Sequence, residues 1–495
     1  MCFALSDWII IILYLLLMLL IGYLNGKKNK TADDYILGNR AMSPFMVGVS
    51  LFATLFSTLS YLSYPGEMIK YGPVFLAGIL AFPVAGWIVG KYLIPLFLKM
   101  NVKSAYEILE IKVGKNTRNL SVVFFLCLRM LWMTTIIYAT VDTALVPIFG
   151  IDRSLVPLIS IALSLFTAVY TTLGGLETVI RTDFIQSLIM FLGLIVAIGT
   201  IVNDAGSLDY FFDSSLYSHW QPVRWCIDPV ERMTVGNIFI MTLAWQVCTA
   251  GSDQMAIQRY LSTGNAKEAV KSYHISLAGS GLIQVLLAVT GVAVIVYFTL
   301  HPGLQEGESI FYNSADSLFP LFIRVGLPVG FTGLIASAIM GAAMSSLSSG
   351  LNSCSTVILE DVIKKRHRVD NEQFLFSDLA KIKVISFTIG IIVALLSFLI
   401  PHVPGNLFDV IQKVVNLVVS PLFVLFFMAL FIPLSTDKGT VTGGIVSLTV
   451  AAMISFFEIF GIKSLWIMPA SLMAGVITGI FVSLVEKRVF AKMEK

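Results

Sequence analysis

The sequence predicts an all-α protein that crosses a membrane many times, and two observations carry that prediction. Hydrophobic residues make up 57% of the 495 and charged residues only 13%, where a soluble domain carries roughly 25% charge. Apolar runs of about 20 residues, the length that spans a ~30 Å hydrocarbon layer as a helix, recur along the chain. With 35 Phe, 19 Met and a mean hydropathy of +0.87, disordered, collagen-like and disulfide-scaffold classes are excluded. A net charge of +3, from 33 basic against 30 acidic residues, sets up no field that would draw in nucleic acid. The five cysteines (Cys2, Cys127, Cys226, Cys248 and Cys354) are scattered without a CxxC, so neither a disulfide framework nor a metal knuckle is expected.

Thirteen runs qualify as spans: 8–24, 46–64, 73–98, 119–146, 155–173, 183–202, 235–256, 273–300, 329–360, 384–400, 407–432, 440–460 and 465–485. The first lacks a basic leader and a small-residue cleavage site, and Lys27, Lys28 and Lys30 follow it, so it reads as a retained span. With its amino terminus outside, 24 of the 33 basic residues fall in cytoplasmic loops or the tail, six fall outside, and Lys91, Arg129 and Lys413 lie within spans. That asymmetry fits the positive-inside rule and places the carboxyl terminus in the cytoplasm of a cell-membrane protein. No appended soluble domain is expected: the longest hydrophilic stretches are 203–236 and 361–383.

Setting aside the first span and the last two leaves ten, divisible into two sets of five. Inverted five-helix repeats are a transporter architecture in which the first helix of each half is broken near mid-membrane. The expected organisation is therefore a preceding helix and loop (1–45), a first repeat (46–203), an outer loop with a second repeat (204–432), and two additional helices (433–495). Both candidate helices show weak points. GVSLFATLFSTLS places Ser50, Thr54, Ser57, Thr58 and Ser60 in an apolar stretch, where hydroxyls compete for backbone hydrogen bonds. AWQVCTAGSDQ concentrates Gly251, Ser252, Asp253 and Gln254 in the other. Small and hydroxylated residues that let helices approach closely explain either segment alone as well.

The stretch ASAIMGAAMSSLSSGLNSCSTVILEDV is the most informative. On a helix, Ser345, Ser348, Ser349 and Asn352 fall at i, i+3, i+4 and i+7 and make one polar stripe. Clustered hydroxyls and unwound carbonyls are hard oxygen ligands, suited to a desolvated alkali cation. Asp183 is the leading carboxylate for such a site, although it also suits an N-cap at the membrane surface beside Thr182. Arg129 lies 11 residues beyond Arg118, a rise of about 16 Å that is deep for snorkelling. It could bind a solute anion, or serve a structural ion pair or carbonyl contact. Asp409 and Lys413, at i and i+4, suit a local pair. The five histidines form no cluster and no nucleotide-binding glycine loop occurs.

Four islands resemble the sodium:solute symporters, a family that carries sugars, proline, monocarboxylates, iodide, vitamins and sialic acids. They are KTADDYILGNRAMSP, GGLETVIRTDFIQ, SDQMAIQRYLST and MSSLSSGLNSCSTVILEDV, and the resemblance extends over nearly the whole chain. It implies a leucine-transporter-type fold with a 5+5 inverted-repeat core and about 13 helices, and Na+ as the coupling ion. A general sodium site would use the carbonyls of Ala53, Phe56 and Ala342 with the hydroxyls of Ser345 and Ser346. A second site, found in some members, would use Asp183, Ser345, Ser348 and Ser349. The solute would lie beside the broken helices, against Ser57, Ser60, Phe75, Trp245, Gln246 and Asn416, with Arg129 as the candidate for an anionic group. Sialate carriers place a glutamine where this chain has Ile79 and an arginine where it has Met133. MLWMTTIIYATVDTAL is more similar to the monocarboxylate, iodide and vitamin branch. Unlike proline carriers, the chain has no acidic residue between Met46 and Tyr64, and Arg181 replaces a frequent aromatic.

The expected function is import of a small organic solute with sodium by alternating access, the solute being an organic anion such as a monocarboxylate, or else a sugar. A sialic acid or other acidic sugar is the alternative, as is a sensor of the same fold that binds solute without transporting it. A channel would need a continuous polar pore instead, and no nucleophile, base and metal constellation points to an enzyme or to catalytic residues. The partners expected are the solute, sodium ions and the lipid bilayer, with the chain working as a monomer.

Overall fold

The computed structural model describes residues 4–100, 102–304, 315–365, 377–399 and 407–493. Among them the regular structure is all helical. The first helix, α1 (Leu5–Gly26), presents Ile11, Tyr14, Met18, Gly22 and Asn25 to the protein, a spacing of three and four that makes one face. Leu13, Leu16 and Leu20 face outward. After a short helix (Ala32–Leu37), capped by Thr31 at Asp34 N and closed by left-handed Gly38, comes α2 (Pro44–Leu55), with proline at its first turn.

The first break falls where the hydroxyl-rich stretch predicted it. Helix α2 ends at Phe56 (φ −100°, ψ 102°), and α3 (Thr58–Tyr71) restarts after extended Ser57 at 68° to it. Next come α4 (Pro73–Lys99) and α5 (Lys115–Phe149), both with π-helical turns. The two runs expected at 155–173 and 183–202 are the two helical segments of α6 (Val156–Ala205), which meet at a crook where Gly175 is non-helical at φ 64°, ψ −157°. The left-handed backbone there favours glycine, and a Cβ would stand 2.6 Å from the Tyr35 carbonyl. Gly175→Ala is therefore expected to cost about 2 kcal/mol or more, read as a lower thermal unfolding midpoint.

The second break is equally local. Helix α7 (Val235–Ser252), capped by Thr234, ends at extended Asp253 (φ −87°, ψ 121°), which in turn caps α8 (Gln254–Leu261) by accepting from Met255 N at 2.9 Å. Then follow α9 (Ala266–Leu300), α10 (Phe331–Ile363), α11 (Asp378–Leu396), α12 (Leu407–Phe431), α13 (Asp437–Phe457) and α14 (Ile467–Met493). Every residue of α10 from 335 to 357 is buried. Its alanines, glycines and serines let α6, α1, α11, α5 and α2 close around it.

Each of the thirteen expected runs overlaps helical backbone. By length and apolarity alone, however, the described residues give nine spans, or ten with the bent pair α2 and α3, so the count of thirteen is not confirmed. The first broken helix also runs past the expected boundary to Tyr71 and does contain an acid: buried Glu67, paired with Arg232 at 2.6 and 3.0 Å. The Asp409 side chain, and so the expected pair with Lys413, lies outside the described residues.

Candidate sodium and solute site

Breaking a helix frees the carbonyls of its last turn, and at the first break α10 supplies what meets them. The Ser345 hydroxyl lies 2.9 Å from the Ala53 carbonyl and 3.1 Å from that of Ala342, and Ser346 donates to the Thr54 carbonyl at 3.3 Å. Phe56, which has left the helical conformation, is 5% exposed and the other four residues of the expected general site are fully buried. The structure thus brings Ala53, Ala342, Ser345 and Ser346 together at the end of α2, where Phe56 terminates the helix. Thr54 is an addition that spacing on α10 alone did not reveal.

One helical turn away, Asp183 sits deep inside α6 with no exposure, so the capping role at the membrane surface does not apply. Its Oδ2 accepts from Ser50 Oγ at 2.6 Å, Thr54 Oγ1 at 3.3 Å and Arg259 Nη2 at 3.0 Å. The same Nη2 lies 2.6 Å from Ser349 Oγ, while Arg259 Nε donates to Ser50 at 2.9 Å and Nη1 to the Met255 carbonyl at 2.9 Å. A guanidinium nitrogen therefore stands between two groups expected to share a sodium ion. Ser348 donates to the Ser345 carbonyl at 3.0 Å. Arg259, counted from sequence with the cytoplasmic loops, is 1% exposed and belongs to the core. Its sequence signal was position: it follows the Gly251 to Asp253 break by two turns, on a helix whose eight residues are all buried.

A cavity of about 110 Å³ opens beside both breaks. Of the residues expected near the solute, Ser60, Phe75, Arg129, Trp245, Gln246 and Asn416 line it; Ser57 does not, being fully buried at the break itself. Phe56, Tyr64 and Phe75 form a stacked row with ring centroids 5.9 and 5.1 Å apart. Tyr273 donates to Gln246 Oε1 at 3.3 Å, fixing that amide. Sequence reasoning missed Trp132, Thr249, Ser280 and Gln284 on the wall. Arg129 lines the cavity, and its Nη2 forms the expected structural ion pair, with Asp253, the residue that caps α8. Met133 is fully buried against Gly350 and does not reach the cavity.

Two broken helices around a buried, oxygen-lined core are the architecture of a helical secondary transporter. The sodium:solute symporter family model matches residues 35–447, and the chain belongs to that family. It is 30% identical over 459 residues to the sodium/sialic acid symporter SiaT of Proteus mirabilis (strain HI4320), covering 90% of this chain and 88% of that one. It is 27% identical over 458 residues to sodium-coupled monocarboxylate transporter 1 of Xenopus laevis (89% and 70% covered), and 26% identical over 464 to the sodium-dependent multivitamin transporter of Oryctolagus cuniculus (92% and 71%). Among solved structures, a substrate-bound outward-open Na+-coupled sialic acid symporter with a novel Na+ site superposes at a TM-score of 0.85, 26% identity, over 97% of this chain and 98% of that one. The nucleobase-cation-symport-1 transporter Mhp1 shares the fold at a TM-score of 0.55 and 13% identity, covering 92% and 94%. The chain is thus a multi-pass membrane transporter of the leucine-transporter type, and Na+ is its coupling ion.

Proposed function

We propose that this chain imports a small organic acid together with sodium, the solute lying in the cavity beside the two breaks and the ions in the buried oxygen cluster behind it. The observation that carries the reading is Arg129, whose guanidinium faces an otherwise neutral, aromatic and amide-lined cavity. The relatives named for sialic acid and for monocarboxylates transport acids, which supports the same class. In this reading Ala53, Phe56, Ala342, Ser345 and Ser346 hold the first ion, and Asp183, Ser345, Ser348 and Ser349 a second; Ser57, Ser60, Phe75, Trp245, Gln246 and Asn416 face or flank the solute. The two five-helix repeats (46–203 and 204–432) rock against each other, and the first and last two helices stay outside them. The amino terminus lies outside the cell, the carboxyl terminus inside, and a single chain suffices.

Charge arithmetic constrains the cycle. A charge crossing 100 mV contributes about 2.3 kcal/mol and a tenfold gradient about 1.4. One sodium with one monoanion moves no net charge, so only the gradient drives it, about tenfold accumulation. Two sodium ions with a monoanion move one net charge and supply about 5 kcal/mol, roughly 10³- to 10⁴-fold.

A neutral sugar is the second reading, favoured by Asp253, which already neutralises Arg129. Sodium-driven uptake into proteoliposomes, with pyruvate, acetate, sialic acid, hexoses, inositol and proline, decides between them. Accumulation of an acid that stops in potassium-only buffer is expected; accumulation of a hexose or inositol alone would move the assignment to the sugar. Sodium-dependent binding without accumulation would make the chain a sensor.

A further inference from the structure

Helix α1 stands outside the proposed repeats, yet it is bolted to the ion-bearing helices by polar contacts. At its start, Asp7 Oδ1 accepts from the backbone N–H groups of Gly330 and Gly333 at 3.0 and 2.8 Å, capping α10 from another helix. Two turns further on, the buried Tyr14 hydroxyl touches two partners at once. It donates to Met344 Sδ at 3.4 Å and accepts from Gln186 Nε2 at 3.0 Å. Met344 immediately precedes Ser345, and its carbonyl accepts from Tyr170 at 3.4 Å. Gln186 lies one turn beyond Asp183 on α6. One phenol thus joins the two helices whose relative register sets the distance between Asp183 and the serines.

Sliding of α1 is blocked as well. A Cβ at Gly22 would come within 2.8 Å of the Tyr170 carbonyl, and one at Gly333 within 2.6 Å of Asp7 backbone atoms, so the backbones are in direct contact. An ion cage works only when its ligands are held to about 0.5 Å by the groups behind them. Asp7 fixes α10 along its axis, and Tyr14 fixes it against α6 at the level of Ser345.

We propose that Tyr14 is a positioning residue for sodium: the first helix, outside the transport repeats, sets the register of the ion site between α6 and α10. The inference rests on the sodium site proposed above. Its test is the full-length chain in proteoliposomes, carrying Tyr14→Phe, which removes the hydroxyl and keeps the ring. The sodium concentration for half-maximal uptake is expected to rise about fivefold or more, since the lost hydroxyl makes two buried hydrogen bonds. The solute KM at saturating sodium and the unfolding midpoint in potassium stay within about twofold and a few degrees of the parent. Met344→Leu shifts the sodium requirement in the same direction and serves where Tyr14→Phe folds poorly; the double variant falls short of the product of the two, since the Tyr14–Met344 contact is lost in each. Ser345→Ala is measured alongside. A sodium shift in Ser345→Ala with none in Tyr14→Phe or Met344→Leu overturns the role of Tyr14 and leaves the site standing. No shift in any of them overturns the site itself. A parallel loss of stability, sodium response and solute response in Tyr14→Phe would make the contact merely structural and overturn the inference.

Discussion

Arg259→Met is expected to make the stability of this transporter depend steeply on sodium. The substitution keeps a long side chain but leaves Asp183 as a fully buried carboxylate with only Ser50 and Thr54 as neutral donors. Removing one partner of a buried ion pair costs about 3–5 kcal/mol, because the remaining charge is uncompensated. In potassium buffer the unfolding midpoint should fall accordingly. In sodium, an ion that takes the place of Nη2 between Asp183 and Ser349 returns stability as RT ln(1 + [Na+]/Kd), about 2.7 kcal/mol at a hundredfold excess over Kd. Asp183→Asn in the same background should relieve much of the deficit and abolish the sodium response. Equal midpoints for Arg259→Met in sodium and potassium would show that no ion enters between Asp183 and Ser349. With Arg259 in place the guanidinium is itself the cation at that position, so a second ion has to share the carboxylate or displace the nitrogen.

The second large effect concerns Arg129 on the cavity wall and its partner Asp253. Arg129→Gln leaves Asp253 buried and negative behind the cavity wall, and uptake of an organic acid is expected to fall by at least a hundredfold, the scale of about 3 kcal/mol for a broken buried pair. Asp253→Asn is the informative converse. Asparagine still caps α8, but Arg129 loses its partner and becomes available to a solute carboxylate. An acid should then bind about tenfold more tightly while maximal uptake falls, because binding that no longer trades one carboxylate for another is harder to release. A neutral solute would gain nothing from Asp253→Asn, so the sign of the change in KM reports the charge of the cargo. Weaker binding of every acid in Asp253→Asn would assign Arg129 to structure alone.

The sequence disclosed what is local and concealed what is paired. Both breaks were legible, because hydroxyls in the first helix and Gly251 to Asp253 in the second weaken the backbone where they stand. The stripe of Ser345, Ser348 and Ser349 was legible too, since helical spacing fixes which residues share a face. Arg259 was not. A charge two turns beyond a helix break resembles a loop residue, and only the return of α8 into the protein carries it to Asp183, 76 positions earlier in the chain. Asp253 was seen as a helix breaker and not as the partner of Arg129, because sequence spacing says nothing about which of several deep charges meet. The break between the fifth and sixth runs was legible as well, but not its place: the backbone leaves the helical region at Gly175 alone, and 176–182, which reads as a loop by composition, already belongs to the second helical segment. The cavity wall was legible in part: Ser280 and Gln284 are polar residues in an apolar span whose inward direction depends on how α9 is rotated.

The crook at Gly175 also changes how the segment before it should be regarded. Asn29 donates to the Gly174 carbonyl at 2.9 Å, Tyr35 donates to that of Thr171 at 3.2 Å, and the Tyr35 backbone rests against Gly175. Hydropathy marks 27–40 as a lysine-rich linker of the kind chosen for fluorescent reporters or protease sites. It is a splint across the elbow of α6, the rod that carries Asp183. Lengthening or cutting it would free the elbow some distance from the buried oxygen cluster, so a reporter or a cleavage site placed here acts on the helix that carries Asp183.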